Sequence, residues 1–219
     1  MAPEATRVGG TPPGDTKDAL DAVCVQILES SAEKLRVEPA RSVDEREACF
    51  RLRYRCVVEE GWVDPSEFPD ERECDAYDED AVHICAWEGT ELAGTVRLVF
   101  PQAGLTLPIE QEFGVELHPP GEVLEGGRLV VARKHRAELG HRVLATLFSR
   151  CWLIARERGF SRFASVAPDK VVRLYSRSGV DVEVLGEPRE FWGEQRRPIL
   201  VTGADPDAAF RGARGQAAS

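Results

Sequence analysis

Two short runs of this 219-residue chain put charges where a folded protein needs a reason to hold them. In EVLEGGRLVVARKHR, residues 122–136, Val123, Leu124, Leu129, Val130 and Val131 are apolar and largely of the branched types a sheet prefers, yet Glu125 and Arg128 stand among them. Side chains alternate along a regular strand, so positions 125 and 128 would point to opposite faces. The Gly126-Gly127 pair permits a bulge, which inserts one residue and brings both charges to one side. A bulge also frees a backbone N–H, a suitable donor to a thioester carbonyl as it becomes an oxyanion. Glu125 beside it could take the proton of an attacking amine, directly or through a water. A structural Glu–Arg pair at a sheet junction fits the same residues equally well.

The second run is ERECDAYDED, which spaces Glu73, Asp75 and Asp78 just ahead of a hairpin. Three carboxylates so close together need cations if they are even partly buried. Arg53, Arg55 and Arg97 are the candidates, and Arg97, on an otherwise apolar strand, should have a fixed acidic partner. Such a network would hold the first core helix and its loop against the sheet and shape an acceptor pocket, with a carboxylate left to receive the acceptor's ammonium group. A metal site is the alternative, but no suitably spaced His or Cys set accompanies the acids, and His83 fits a core histidine. In PDKVVRLYSRSGV, Tyr175 could protonate a departing thiolate, or could simply pack at a strand entry. In VARKHRAELGHRVL, a helix start among Arg133, Lys134, Arg136 and Arg142 suits a phosphate, although Gly140 is the one glycine where a dedicated phosphate loop has several.

The elements that must position these residues follow from periodicity and punctuation. Residues 1–16 are rich in Gly, Pro and Thr and are expected to be disordered. A short helix is expected around Leu20, Val23, Ile27 and Leu28, then a strand at EKLRVEPA. Ser42 can cap a helix starting near Val43, with Glu45 completing a capping box. Gly61 to Asp80 reads as loop. AVHICAWE, the turn GT and ELAGTVRLVF read as a hairpin, and LPIEQEFG as one helical turn. ELGHRVLATLFSRCWLIARERG places Leu139, Val143, Leu147, Cys151 and Ile154 on one helix face, with Gly159 as the stop. A strand at SRFASVA, a helix at PDKVVRLYSRSG and strands around 180–186 and 197–202 complete a domain spanning 17–202. Residues 203–219 read as a disordered tail. The fold class expected is α+β, with antiparallel strands first and strand–helix–strand–helix after.

Composition bounds the function. A formal net charge of -10 argues against general nucleic-acid binding. No run approaches the length and apolarity of a membrane span, and the N-terminus lacks the pattern of a signal peptide. Six cysteines without CxxC spacing read as reduced thiols, so a cytoplasmic location is expected. Charge is uneven: residues 59–80 hold eleven carboxylates and one arginine, whereas residues 133–162 hold eight Arg or Lys residues and two glutamates. The second stretch allows a basic face for an anionic partner.

Taken in order, FRLRYRCVVEEGW, ECDAYDEDAVH, ELAGTVRLVF, LPIEQEFG and EGGRLVVARKHR resemble the autoinducer-synthase-like branch of the GNAT superfamily. The likeness is greatest to the N-acyl amino acid synthases and the exosortase (PEP-CTERM) system-associated acyltransferases. Acyl-homoserine-lactone synthases share part of the pattern: Arg53, Trp62, Glu73, Asp75, Asp78, Arg97, Glu125 and Arg128. The resemblance implies a GNAT acyltransferase fold: a mixed central sheet with a splayed, bulged strand and flanking helices. It also implies transfer of a fatty acyl group from an acyl carrier protein or CoA thioester to the amine of an amino acid or similar small acceptor. On that analogy Glu125 is the base and Arg128 its structural or acceptor-orienting partner. Arg53, Trp62, Glu73, Asp75, Asp78 and Arg97 form the acceptor side, and no cofactor is held permanently. Two departures stand out. Gly127 occupies a position where these families commonly carry serine, and the degenerate phosphate loop favours a carrier protein as donor, docked on Arg133, Lys134, Arg136, Arg142 and Arg150. The alternatives are a homoserine-lactone synthase using S-adenosylmethionine, a short-chain CoA-dependent acetyltransferase, and a carrier-binding module with a dead site.

Overall fold

A computed structural model describes residues 13–177 and 180–204 of the chain. Five helices and eight strands follow in the order α1 (Pro13–Ser31), β1 (Arg36–Pro39), α2 (Val43–Glu59), β2 (Val82–Glu88), β3 (Glu91–Val99), α3 (Pro108–Phe113), β4 (Leu124–Val131), α4 (Gly140–Glu157), β5 (Phe163–Ala167), α5 (Asp169–Arg177), β6 (Val180–Val184), β7 (Arg189–Phe191) and β8 (Glu194–Ala204). The strands form one sheet in the order β1-β2-β3-β4-β5-β8-β6, with β7 paired to β8. Only β4 and β5 run parallel, and they pair only at Leu124–Phe163 and Glu125–Ala164. Beyond Glu125 the two strands part. That divergence is the splay that the family resemblance implies.

Helix α1 starts at Pro13, inside the segment expected to be disordered, and is longer than the short helix expected there. The rest of that segment and residues 205–219 lie outside the described residues. At the start of α2 the Ser42 hydroxyl accepts from the Glu45 N–H at 3.1 Å, while Glu45 reaches back to the N–H of Arg41 at 2.7 Å. The capping box is therefore half formed, its return bond displaced by one residue.

The sheet has a helix layer on each face. On one, α4 lays Val143, Leu147 and Cys151 against Ile84, Ala86, Leu98 and Leu124. On the other, α2 packs Cys49, Leu52 and Cys56 on Cys85 and Leu92. Alongside α2, the α3 region seats Leu107 and Ile109 on Val99 and Val123. Residues 124 and 125 therefore face opposite layers: Leu124 enters the α4 core and Glu125 points toward α3.

Helix α4 lies so near β3 that a glycine is required beneath it. A Cβ at Gly94 would come within 2.6 Å of Val143 Cγ1 and 3.2 Å of Leu147 Cδ1. Overfilling a packed core costs typically about 1–3 kcal/mol. Gly94→Ala is therefore expected to lower unfolding free energy by about that amount in urea titration. An unchanged midpoint would mean that α4 is held less closely than its contacts indicate.

Candidate active site

The bulge in β4 is present, one step later than the glycines suggest. Arg97 pairs with Gly127 and Thr95 with Val130, so Val96 alone on β3 opposes Arg128 and Leu129 on β4. Arg128 has φ +54, whereas neither Gly126 nor Gly127 has a positive φ. The inserted residue is thus an arginine in the left-handed region, a conformation that costs about 1–2 kcal/mol for a residue with a Cβ. The bulge sets Arg128 on the face that carries Glu125, as the charged pair required. At Gly127 a Cβ would lie 3.7 Å from Glu125 Oε1, so the missing serine leaves room directly beside that carboxylate.

Around Arg128 the acidic run closes into a six-membered charge network. Arg53, from α2, bonds Asp78 through both terminal nitrogens at 2.9 and 2.8 Å, and its Nε donates to Glu73. Arg97, from β3, donates to Asp75 at 2.6 Å and lies 3.0 Å from Asp78. Arg128 donates to Glu73 and Asp75, each at 2.9 Å. Three guanidinium groups thus balance three carboxylates. Arg55, the other candidate cation, is exposed on α2 and takes no part. Asp75 and Asp78 also cap the 3-10 turn Ala76–Asp78, which fixes their spacing. Burial opposes ionisation of Asp78, but the hydrogen bonds and charge of Arg53, with the charge of Arg97, outweigh it and hold the carboxyl below the usual carboxylate range. His83 fits the expectation of a core histidine: its Nε2 lies 3.0 Å from the Asp78 carbonyl oxygen, and burial lowers its pKa.

Glu125 sits beside this network and outside its pairing. Its Oε2 accepts the N–H of Ile109 on α3 at 2.7 Å. Burial pushes its pKa up to about 7, against the opposing effects of that hydrogen bond and of Arg97 and Arg128. The group can therefore change its protonation state near neutral pH, as a general base must.

The sequence reading missed the cover over the site. Strands β7 and β8 form a two-residue hairpin whose turn, Trp192-Gly193, has φ values of +52 and +63, matching a type I′ turn. The Arg128 guanidinium lies 5.0 Å from the centroid of the Trp192 ring, and that of Arg196 lies 4.7 Å from the centroid of Trp62. Phe191 meets Phe113 of α3 edge-on at 5.4 Å. Trp62, expected on the acceptor side, is thus held against the hairpin, and a Cβ at Gly193 would come within 2.7 Å of it. The available signal was the aromatic-Gly pair in REFWGEQRR, flanked by runs able to pair.

Other expected residues fall elsewhere. Tyr175 packs edge-on against Phe148 of α4 at 5.7 Å, on the layer opposite α3, and no contact among the described residues joins it to Glu125. Burial, with a smaller effect from Cys151, raises its phenol pKa and keeps it protonated. Lys134 pairs with Glu91 and Arg136 with Glu60, while Arg150 donates to the Val37 carbonyl at 2.9 Å. Arg133 and Arg142 are exposed. The basic face is therefore more neutralised than its sequence suggests.

Comparison with known proteins bears on the fold and the family. The acyl-homoserine lactone synthase BjaI, solved with S-adenosylmethionine and isopentyl-CoA, superposes with a TM-score of 0.64 at 22% identity, over 81% of this chain and 86% of that one. The corresponding values for the synthase LasI are 0.62, 19%, 81% and 95%. For FeeM, an N-acyl amino acid synthase from uncultured soil microbes, they are 0.58, 18%, 80% and 93%. These likenesses establish the fold. The family model for the N-acyl amino acid synthase FeeM matches residues 48–200, well over half of the sequence. The chain belongs to the FeeM family of N-acyl amino acid synthases and is an acyltransferase.

Proposed function

We propose that the protein transfers a long-chain acyl group from a thioester to the amine of an amino acid, with Glu125 as the base. The observation that carries this reading is a buried carboxyl, outside the charge network and set where β4 leaves β5, whose pKa burial pushes up to about 7. The acceptor amine attacks the thioester carbonyl while Glu125 takes the amine proton, directly or through one water. The backbone of β4 beyond Glu125, left without a β5 partner, supplies N–H donors for the developing oxyanion. Collapse of the tetrahedral species forms the amide and expels the thiolate, which takes a proton from Tyr175. The phenolate, disfavoured by burial, recovers a proton from solvent as Glu125 releases the one it took, so both groups return to their starting states. The network of Arg53, Arg97, Arg128, Glu73, Asp75 and Asp78 is the rigid wall of the acceptor side.

The donor in this reading is an acyl carrier protein, whose acidic surface Arg133 and Arg142 attract with help from Lys134 and Arg136. The presence of one glycine, Gly140, at the start of α4 supports it over CoA. A second reading, an acyl-homoserine lactone made from S-adenosylmethionine, draws support from the likeness to BjaI. Thiol release from palmitoyl carrier protein and from palmitoyl-CoA, each supplied with mixed amino acids plus S-adenosylmethionine and analysed by mass spectrometry, separates the two. An N-acyl amino acid is expected. A lactone product would transfer the assignment to the second reading, and no release from either donor would end both.

Two predictions test the base. Glu125→Gln should lower kcat by about 10²–10⁴-fold; a variant retaining full turnover would assign the base elsewhere. The same substitution should affect stability in a pH-dependent manner. A carboxyl whose folded pKa exceeds its unfolded value of 4.5 favours the fold below pH 4.5, and that contribution is lost as pH rises through about 7. Above that pH an ionised Glu125 costs the fold about 3 kcal/mol, by conversion of this shift, a cost that glutamine avoids. Glu125→Gln should therefore melt above the parent protein at pH 8 and close to it at pH 4.5. A variant less stable at both pH values would show that Glu125 serves as a permanently ionised partner instead.

A further inference from the structure

The two oxygens of Glu125 are not alike. Its Oε2 accepts the N–H of Ile109 at 2.7 Å, whereas its Oε1 carries no hydrogen bond among the described residues and lies beside the open position at Gly127. Oε1 is therefore the oxygen free to take a proton, and its aim depends on where Ile109 stands. Ile109 belongs to α3, a helix of six residues, too short to hold a position by its own hydrogen bonds. Glu110 ties α3 to its flanking chain: its Oε2 accepts the Leu107 N–H at 2.9 Å and its Oε1 that of Leu117 at 3.1 Å. The tie from α3 to the charge network comes from Tyr77. The Tyr77 hydroxyl donates to Gln111 Oε1 at 2.6 Å, with the Thr106 carbonyl oxygen a second acceptor at 3.0 Å. It thus grips both the helix and the chain leading into it. The Tyr77 ring packs against the apolar cluster that contains Leu107 and Ile109.

The other end of Tyr77 is fixed within the network. Its N–H donates to Asp75 Oδ1 at 2.9 Å, an oxygen that also accepts from Arg97 at 2.6 Å. The Arg97 guanidinium lies 6.0 Å from the centroid of the Tyr77 ring, and Tyr77 is the middle residue of the 3-10 turn that Asp75 and Asp78 cap. We infer that Tyr77 is a positioning residue for the base: it couples the charge network to α3, so that Ile109 holds Glu125 Oε2 and Oε1 is left to meet the amine proton. This rests on the reading of Glu125 as the base and adds the residue that orients it. An N–H donated to a carboxylate favours the ionised form. A looser α3 weakens that bond, so the base becomes both harder to ionise and less well aimed.

The test uses Tyr77→Phe, which keeps the ring and removes the hydroxyl, and Gln111→Leu, which breaks the same bond from the side of α3. The pH dependence of kcat/KM is read by thiol release from palmitoyl carrier protein or palmitoyl-CoA, with mixed amino acids plus S-adenosylmethionine as acceptors. The acceptors' own ionisation is common to all the proteins and cancels in the comparison. Each variant should move the acid limb of the profile to higher pH by about 0.5–1 unit, a part of the one to two units that a whole charge-assisted bond represents. Each should also lower kcat by about 10-fold, with KM for the donor little changed. The double variant should shift no further, because both changes remove one bond. A loss of rate with the acid limb unmoved would overturn the inference, since that is the signature of a structural role. So would shifts that add in the double variant. An acid limb missing from the unmodified protein, full turnover by Glu125→Gln, or failure to acylate any amine would instead remove the reading of the base and the role of Tyr77 together.

Discussion

Six buried or half-buried charges, three from arginine and three from carboxylates, are the constraint on which the site depends. Taking such groups out of water is expensive, and removal of one partner typically costs about 3–5 kcal/mol because a bare charge remains. The arrangement tolerates burial because its members come from four separate elements and still balance. Arg53 comes from α2, the acids from the following loop, Arg97 from β3 and Arg128 from β4. The network therefore locks these elements in one relative position. It also leaves the neighbourhood of Glu125 nearly neutral, so that burial dominates over any net charge in setting the pKa of that carboxyl.

Two non-glycine residues in left-handed backbone meet over this network. Arg128 is forced there by the bulge and Trp192 by the hairpin turn, and the guanidinium of one lies against the ring of the other. Each conformation is unfavourable alone. Together they are supported by contacts that require both: Arg128 reaches Glu73 and Asp75 through the bulge, and Trp192 closes over it through the turn. The strain sits beside Glu125, the base of the proposed reaction, where pre-organisation is useful.

The strongest sequence signals were those in which local and tertiary preferences agree. The heptad-like face of α4 and the Gly-Thr turn between β2 and β3 are fixed by residues close in sequence, and both elements appear where expected. Arg97 could be assigned an acidic partner because a lone charge on an apolar strand is costly wherever it lies. The bulge was foreseen but misplaced: glycine relieves strain where strain occurs, whereas the position of an inserted residue is set by register with β3, which one strand does not encode. The hairpin roof was missed because β7 has three residues and gains its stability from Trp62 and Phe113, distant in sequence. Lys134 and Arg136 looked like a free basic patch because Glu91 and Glu60 lie far away in the chain.

The two layers of the sheet also limit how the chemistry can be arranged. Glu125 belongs to the α3 side, where Ile109 holds it, and Tyr175 to the α4 side, where Phe148 meets it. A continuous sheet would separate a base from a thiolate-protonating group by a full layer of backbone. Among the described residues β4 pairs with β5 only at Leu124 and Glu125, so the sheet is open immediately beyond Glu125. A thioester threaded through that opening can present its carbonyl to the Glu125 face and its sulfur to the Tyr175 face. The division of roles proposed for the two residues then follows from where the sheet splits, and the charge network ties together the elements on one side of that split.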